Sequence, residues 1–200
     1  RHLDDLSKLF DLSQQLAASQ ELSDCLEVVL RCASQLLDAP MGMVLLHHPE
    51  TRELVVRTVC GFSPDASLES SIRLSPGEGM AGKAAQSGTV LTSADVSRDG
   101  RFKYRDVARR EGLRSGIAAP LMTRGRAVGV LSLYRPTTQE FTEDDKRLLA
   151  AIANSTVLAV ENAYLRQEAQ ERTQFLAALM QEINHRVRNS LQTIAGLLRM

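Results

Sequence analysis

The chain has no tryptophan, few other aromatics (3 Tyr, 5 Phe), three cysteines and no net charge across 200 residues. Its 24 basic and 24 acidic residues cancel, which argues against bulk electrostatic binding to nucleic acid or an anionic membrane. Apolar runs break within about ten residues, short of the roughly 18 that a membrane span needs, and no secretory signal precedes the first helical pattern. Cys25, Cys32 and Cys60 are an odd set without metal-ligand spacing. Buried free thiols in a reducing cytosol are expected, and neither structural zinc nor disulfides. Proline is missing after Pro136, and Gly196 is the one glycine from Thr142 onward. Nothing there interrupts a helix of about 60 residues. The 44% hydrophobic content suffices for one well-buried domain with helical extensions. Beginning at Arg1 and ending inside an apolar helical pattern at Met200, the chain is expected to be a fragment of a longer protein.

Periodicity changes along the chain. Leu3, Leu6, Phe10, Ser13 and Ala17 recur at 3, 4, 3 and 4 residues, a repeat suited to pairing with another helix. Leu22, Leu26, Val29, Leu30, Ala33, Leu36 and Leu37 predict a core-facing helix, with Ser23 as a cap near its start and Asp38-Ala39-Pro40 as its stop. Met41–His48 and Glu53–Cys60 read as a hairpin around Pro49-Glu50-Thr51-Arg52. Ser70–Leu74 is a short strand. The loop 75–79 opens a helix from Met80 to Gln86 closed by Gly88, and Val90–Thr92 is a brief strand. The polar stretch 95–112 contains a helix around Tyr104–Arg110. Ser115–Met122 and Ala127–Tyr134 form a second hairpin with Gly125 in its turn. Thr142, with Asp145 three residues on, marks the start of the last, long helix. This is an α+β pattern, an antiparallel sheet with helices on one face.

The motifs Gly77-Glu78-Gly79-Met80-Ala81-Gly82, Gly88-Thr89-Val90-Leu91 and Asp95–Phe102 occur in that order. Ala119-Pro120-Leu121, Gly129–Leu133 and Phe141-Thr142-Glu143-Asp144-Asp145 follow. Together they resemble the GAF domain, a small-molecule and light-sensing relative of PAS, over residues 20–163. The resemblance implies an antiparallel sheet of about six strands, with the N- and C-terminal helices on one face. It places a pocket on the other, roofed by the 75–112 loops. The ligand stays open. Gly77, Gly79 and Gly82 ahead of a helix could offer N–H groups to an anion, but without a lysine at phosphate-loop spacing they read as turn formers. The Asn-Lys…Phe…Asp-Glu signature of cyclic-nucleotide-binding members is broken, since Tyr134-Arg135-Pro136 leads to Phe141 and Asp144-Asp145. No cysteine has the following histidine that bilin attachment favours, and His47 and His48 fall at a hairpin turn and not in a pocket.

The most informative segment is Glu182-Ile183-Asn184-His185-Arg186-Val187-Arg188-Asn189-Ser190-Leu191-Gln192. The apolar stripe Leu176, Leu179, Ile183, Val187, Leu191, Ile194 and Leu198 spans an arc of roughly 120° on a helical wheel, and His185 lies roughly 175° from its middle. Gln181, Arg188, Asn189 and Gln192 share the histidine's face. Asn189, one turn on, is placed to touch His185. A neutral imidazole is a usable nucleophile, and Arg186 and Arg188 can steady incoming phosphate. A lone exposed histidine of this kind is ordinarily just a solvated face. The order of the string, however, resembles the phosphoacceptor box of sensor histidine kinases of the H-R-V-K-N type, with Arg188 in place of the lysine and Ser190 in place of the second asparagine. That resemblance implies phosphorylation of His185 from ATP, with Asn189 and Arg186 in support, and transfer to an aspartate of a response regulator.

The expected organisation is therefore an N-terminal dimerisation helix (1–19), a GAF sensor domain (20–163), a polar helical linker (164–174) and the start of a dimerisation and phosphotransfer helix (175–200). The long C-terminal helix is coiled-coil-like, with a run of 4-residue steps that unwinds a strict heptad. The expected partners are a second copy through the N- and C-terminal helices, a response regulator and a small molecule in the pocket, with no nucleic acid and no membrane span. The chain itself is expected to hold no cofactor, ATP and Mg²⁺ belonging to a catalytic domain outside it, so that it is inactive alone. The location expected is cytoplasmic. The other reading is a GAF small-molecule-binding or dimerisation module controlling a different output.

Overall fold

The computed structural model describes residues 22–63 and 71–197, with side chains described through residue 183 apart from several between 159 and 171. The expected helix at 1–19 lies outside the described residues. Helix α1 (Leu22–Leu36) buries Cys25, Leu26, Val29, Leu30 and Ala33, positions three and four apart that make a single stripe. Ser23 falls inside its first turn, so it is not the cap expected, because a cap precedes the helix in extended backbone. The stop is a Schellman motif. Ala39 N–H reaches Ser34 C=O at 3.0 Å and Asp38 N–H reaches Gln35 C=O at 3.5 Å, with Asp38 left-handed at φ 47°.

The strands follow as β1 (Met41–His47), β2 (Leu54–Cys60) and β3 (Arg73–Leu74). Helix α2 (Gly79–Ser87), β4 (Leu91–Ser93) and helix α3 (Arg105–Arg110) come next. Strands β5 (Gly116–Thr123) and β6 (Arg126–Tyr134) precede helix α4 (Glu143–Leu197). One six-stranded sheet runs in the order β3-β2-β1-β6-β5-β4, every neighbour antiparallel. The β5–β6 turn has Arg124 at φ 47° and Gly125 at φ 76°, the doubly left-handed turn whose twist suits a tight hairpin.

Alternation along the strands divides the interior in two. Val44 and Leu46 of β1 and Leu131 and Leu133 of β6 face α1 and the first turns of α4, where Leu149, Ile152, Ala153 and Val157 pack. Met43 and Leu45, with Val130 and Tyr134, face the opposite way toward α2 and the 95–113 region. The helices and the roof therefore occupy opposite faces, as the resemblance implied.

Helix α4 begins at a reciprocal cap. Thr142 N–H donates to Asp145 Oδ2 at 2.9 Å, and Asp145 N–H donates to Thr142 Oγ1 at 3.2 Å. The chain divides into two compact units, residues 1–160 and 161–200. In the second, Leu165, Phe175, Leu176, Leu179, Met180 and Ile183 are exposed. Among the described residues no helix is long and apolar enough to cross a membrane.

Candidate functional site

A small cavity lies on the roofed face of the sheet. Its floor is Met43 and Leu45 of β1 and Tyr134 of β6, its wall Leu74 and Met80, and its roof Phe102, Tyr104 and Val107. Its volume of about 30 Å³ is room for a water or two. Phe102 meets the Tyr134 ring edge-on at 5.9 Å between centroids, and Phe62 does the same at 6.4 Å. Burial pushes the Tyr134 hydroxyl up to about 12, so it stays protonated at neutral pH.

The roof is fastened to the sheet edge by polar contacts. Tyr104 Oη donates to Arg73 C=O at 2.7 Å and accepts from Arg73 N–H at 2.9 Å. Lys103 Nζ donates to the same carbonyl at 3.0 Å and to Glu78 Oε2 at 2.9 Å. Glu78 also accepts from Ser75 N–H at 3.0 Å. The Lys103 ammonium, helped by that N–H, holds the Glu78 carboxyl below its ordinary value, and Glu78 holds Lys103 above its own. Among the described residues Lys103 is the only charged group lining the cavity, and its charge is already matched. An anionic ligand would therefore meet no spare cation among the described lining.

The polar stretch leading to the roof is built from two aspartates. Asp95 accepts Ser97 N–H at 3.0 Å and Ser97 Oγ–H at 2.6 Å. Asp99 accepts Arg101 N–H at 2.8 Å and the Arg101 guanidinium at 2.6 to 3.1 Å, and Arg101 reaches on to Thr92 C=O at 3.0 Å. The glycines at the start of α2 are explained by geometry. Gly77 and Gly79 have φ of 77° and 67°, and a Cβ at Gly82 would stand 3.0 Å from Ser75 C=O. Turn-making and close packing account for all three, with Glu78 occupying the N-cap position of α2.

The remaining sequence candidates sort themselves by location. His47 Nδ1 lies 2.7 Å from Arg52 C=O, and His48 Nδ1 accepts Thr51 N–H at 3.5 Å. Both belong to the hairpin turn and neither lines the cavity. Cys25 is buried and Cys32 and Cys60 are half-buried. Burial pushes the Cys25 thiol up to about 11 and also raises Cys60, which leaves little thiolate at neutral pH.

One cluster escaped the sequence. Arg135 is buried just beyond β6. Its Nη2 donates to Leu37 C=O at 2.6 Å and its Nε to Asp38 C=O at 3.2 Å. Nη1 reaches Glu140 C=O at 3.4 Å. The guanidinium lies 3.9 Å over the Phe141 ring and pairs with Asp145 at 3.5 Å. Arg135, Phe141 and Asp145 thus join the end of α1 to the cap of α4.

The string from Glu182 to Gln192 lies on the backbone of α4, helical through Leu197. The side chains of His185, Arg186 and Asn189 lie outside the described residues. Upstream, Leu176, Leu179 and Ile183 of the expected stripe are exposed in the single chain, flanked by Phe175 and Met180.

Residues 19–161 match the GAF domain family and residues 182–200 the histidine kinase family. A sensor-like histidine kinase of Chloroflexus aurantiacus, otherwise uncharacterized, is 24% identical over 94% of this chain and 30% of its own length. The nitrogen fixation protein VnfA of Azotobacter vinelandii is 26% identical over 79% of this chain and 31% of its own. The chain thus spans under a third of either curated relative. Among solved structures, the GAF domain of a phosphoenolpyruvate-protein phosphotransferase from Coxiella burnetii superposes with a TM-score of 0.74 at 19% identity, covering 83% of this chain and 98% of that one. Free methionine-R-sulfoxide reductase from Neisseria meningitidis, in complex with its substrate, gives 0.67 at 22% identity, covering 79% and 89%. The sheet order, the roofed face and the family match agree: the chain belongs to the GAF domain family, and its residues 182–200 are similar to the histidine kinase family.

Proposed function

We propose that this chain is the sensory and phosphoacceptor portion of a sensor histidine kinase, with His185 as the acceptor. The observation that carries the reading is the histidine kinase match at 182–200, which falls on the box containing His185, Arg186 and Asn189. A neutral His185 nitrogen attacks the γ-phosphorus of ATP held by a catalytic domain elsewhere in the full-length protein. The bond from that phosphorus to the ADP oxygen breaks, a phosphoramidate forms, and the ring proton is lost to solvent or a base. Arg186 steadies the arriving phosphate, and Asn189, one turn away, fixes the imidazole tautomer. The phosphoryl group then passes to a response-regulator aspartate. The exposed face from Phe175 to Ile183 supports pairing with a second copy, and the GAF match at residues 19–161 supports a sensory role for that domain. Phosphorylation of the purified chain by a supplied kinase catalytic domain tests the assignment. Wild type should incorporate phosphate and His185→Gln none, whereas equal incorporation in the variant would refute it.

The relative named as a nitrogen fixation protein, matching over 163 residues, favours a second reading in which the GAF domain controls a different output. Under that reading neither wild type nor variant would accept phosphate.

A further inference from the structure

We infer that Arg135 is the positioning residue through which the state of the cavity roof reaches the first turns of α4. The roof residue Phe102 rests edge-on against Tyr134, and Tyr134 is buried at the cavity floor. Tyr134 is held in register on both sides, opposite Met41 of β1 and Gly116 of β5. A ring displaced there is poorly absorbed sideways, because packed interiors shift as units. The next residue is Arg135, whose own N–H donates to Ser115 C=O at 2.9 Å. Its guanidinium grips the end of α1 through Leu37 and Asp38 C=O, the Phe141 ring and Asp145. The same Asp145 oxygen that faces Arg135 accepts Thr142 N–H to close the α4 cap.

Movement at Phe102 therefore changes the angle at which Arg135 meets Asp145, and the cap of α4 responds. The ring, the arginine and the cap form one contiguous set of contacts inside residues 1–160. The inference does not depend on the acceptor assignment, because its readout lies wholly in that unit.

The experiment is a double-mutant cycle read by amide hydrogen exchange of the whole 200-residue chain. Phe102→Leu trims the roof contact, and Arg135→Lys keeps the charge while losing the fork and the planar stack. Exchange at residues 145–149 is measured relative to amides of β1, which corrects for global stability. Phe102→Leu should speed exchange there about fivefold or more in the native background, and by less than about twofold when Arg135 is already lysine. An equal factor in both backgrounds, or no effect of Phe102→Leu, overturns the inference. Should Arg135→Lys fail to fold, Asp145→Asn, which keeps an acceptor for Thr142 N–H but removes the ion pair, replaces it with the same two outcomes. A merely structural arginine would give additive changes; only a transmitting one gives the cancellation.

Discussion

The Asp99 carboxylate accepts the Arg101 backbone N–H and both Nε and Nη2 of its guanidinium. These contacts, the guanidinium foremost, hold its pKa well below the ordinary 3.8. A carboxyl depressed on folding adds stability above its unfolded pKa, and loses it as pH falls through the folded one. Native stability should accordingly decline as pH drops below about 4, and Asp99→Asn should flatten that acid limb in urea titrations at successive pH values. Part of this was legible. The string Asp95–Phe102 marked the domain, but no residue-level rule assigned Asp99 to Arg101. Arg135 was harder still, because its carbonyl partners Leu37 and Asp38 stand about a hundred positions away. Nor does the order Arg135, Phe141, Asp145 alone reveal that the guanidinium stacks on the ring and pairs with the carboxylate.

At the scale of elements, local chemistry wrote most boundaries into the sequence. The stop at Asp38-Ala39-Pro40, the glycine turn of the β5–β6 hairpin and the Thr142–Asp145 cap all appear where turn and cap residues placed them. The short elements were less legible. Strand β3 pairs over only two residues, Leu54↔Leu74 and Val55↔Arg73, and is secured from the far side by Tyr104, 31 positions later. A two-residue ladder carries little periodic signal, and a hydroxyl contact between distant segments carries none. Tyr104→Phe should therefore cost about 1 kcal/mol, the usual worth of one net hydrogen bond, and speed exchange of the Arg73 amide selectively. Unchanged Arg73 exchange would show that the hydroxyl does not fasten the roof.

For the molecule as a whole, the hydrophobic residues that fill both faces of the sheet contrast with those left outside on α4. Phe175, Leu176, Leu179, Met180 and Ile183 are about half to two-thirds exposed, a burden that a helix carries only if another surface covers it. Sedimentation of the chain should report a dimer. Leu179→Glu should shift it toward monomer while leaving the melting of the GAF unit unchanged, and a wild-type monomer at high concentration would contradict that account. A roofed cavity, a capped helix and a segment similar to the histidine kinase family follow one another along one chain, and the proposed acceptor is His185. The most direct test of that proposal is to incubate the full-length protein with ATP and map the modified residue by mass spectrometry under conditions that preserve phosphoramidates. Acid-labile, base-stable phosphate on His185 is the predicted result; phosphate on another residue, or none, would contradict it.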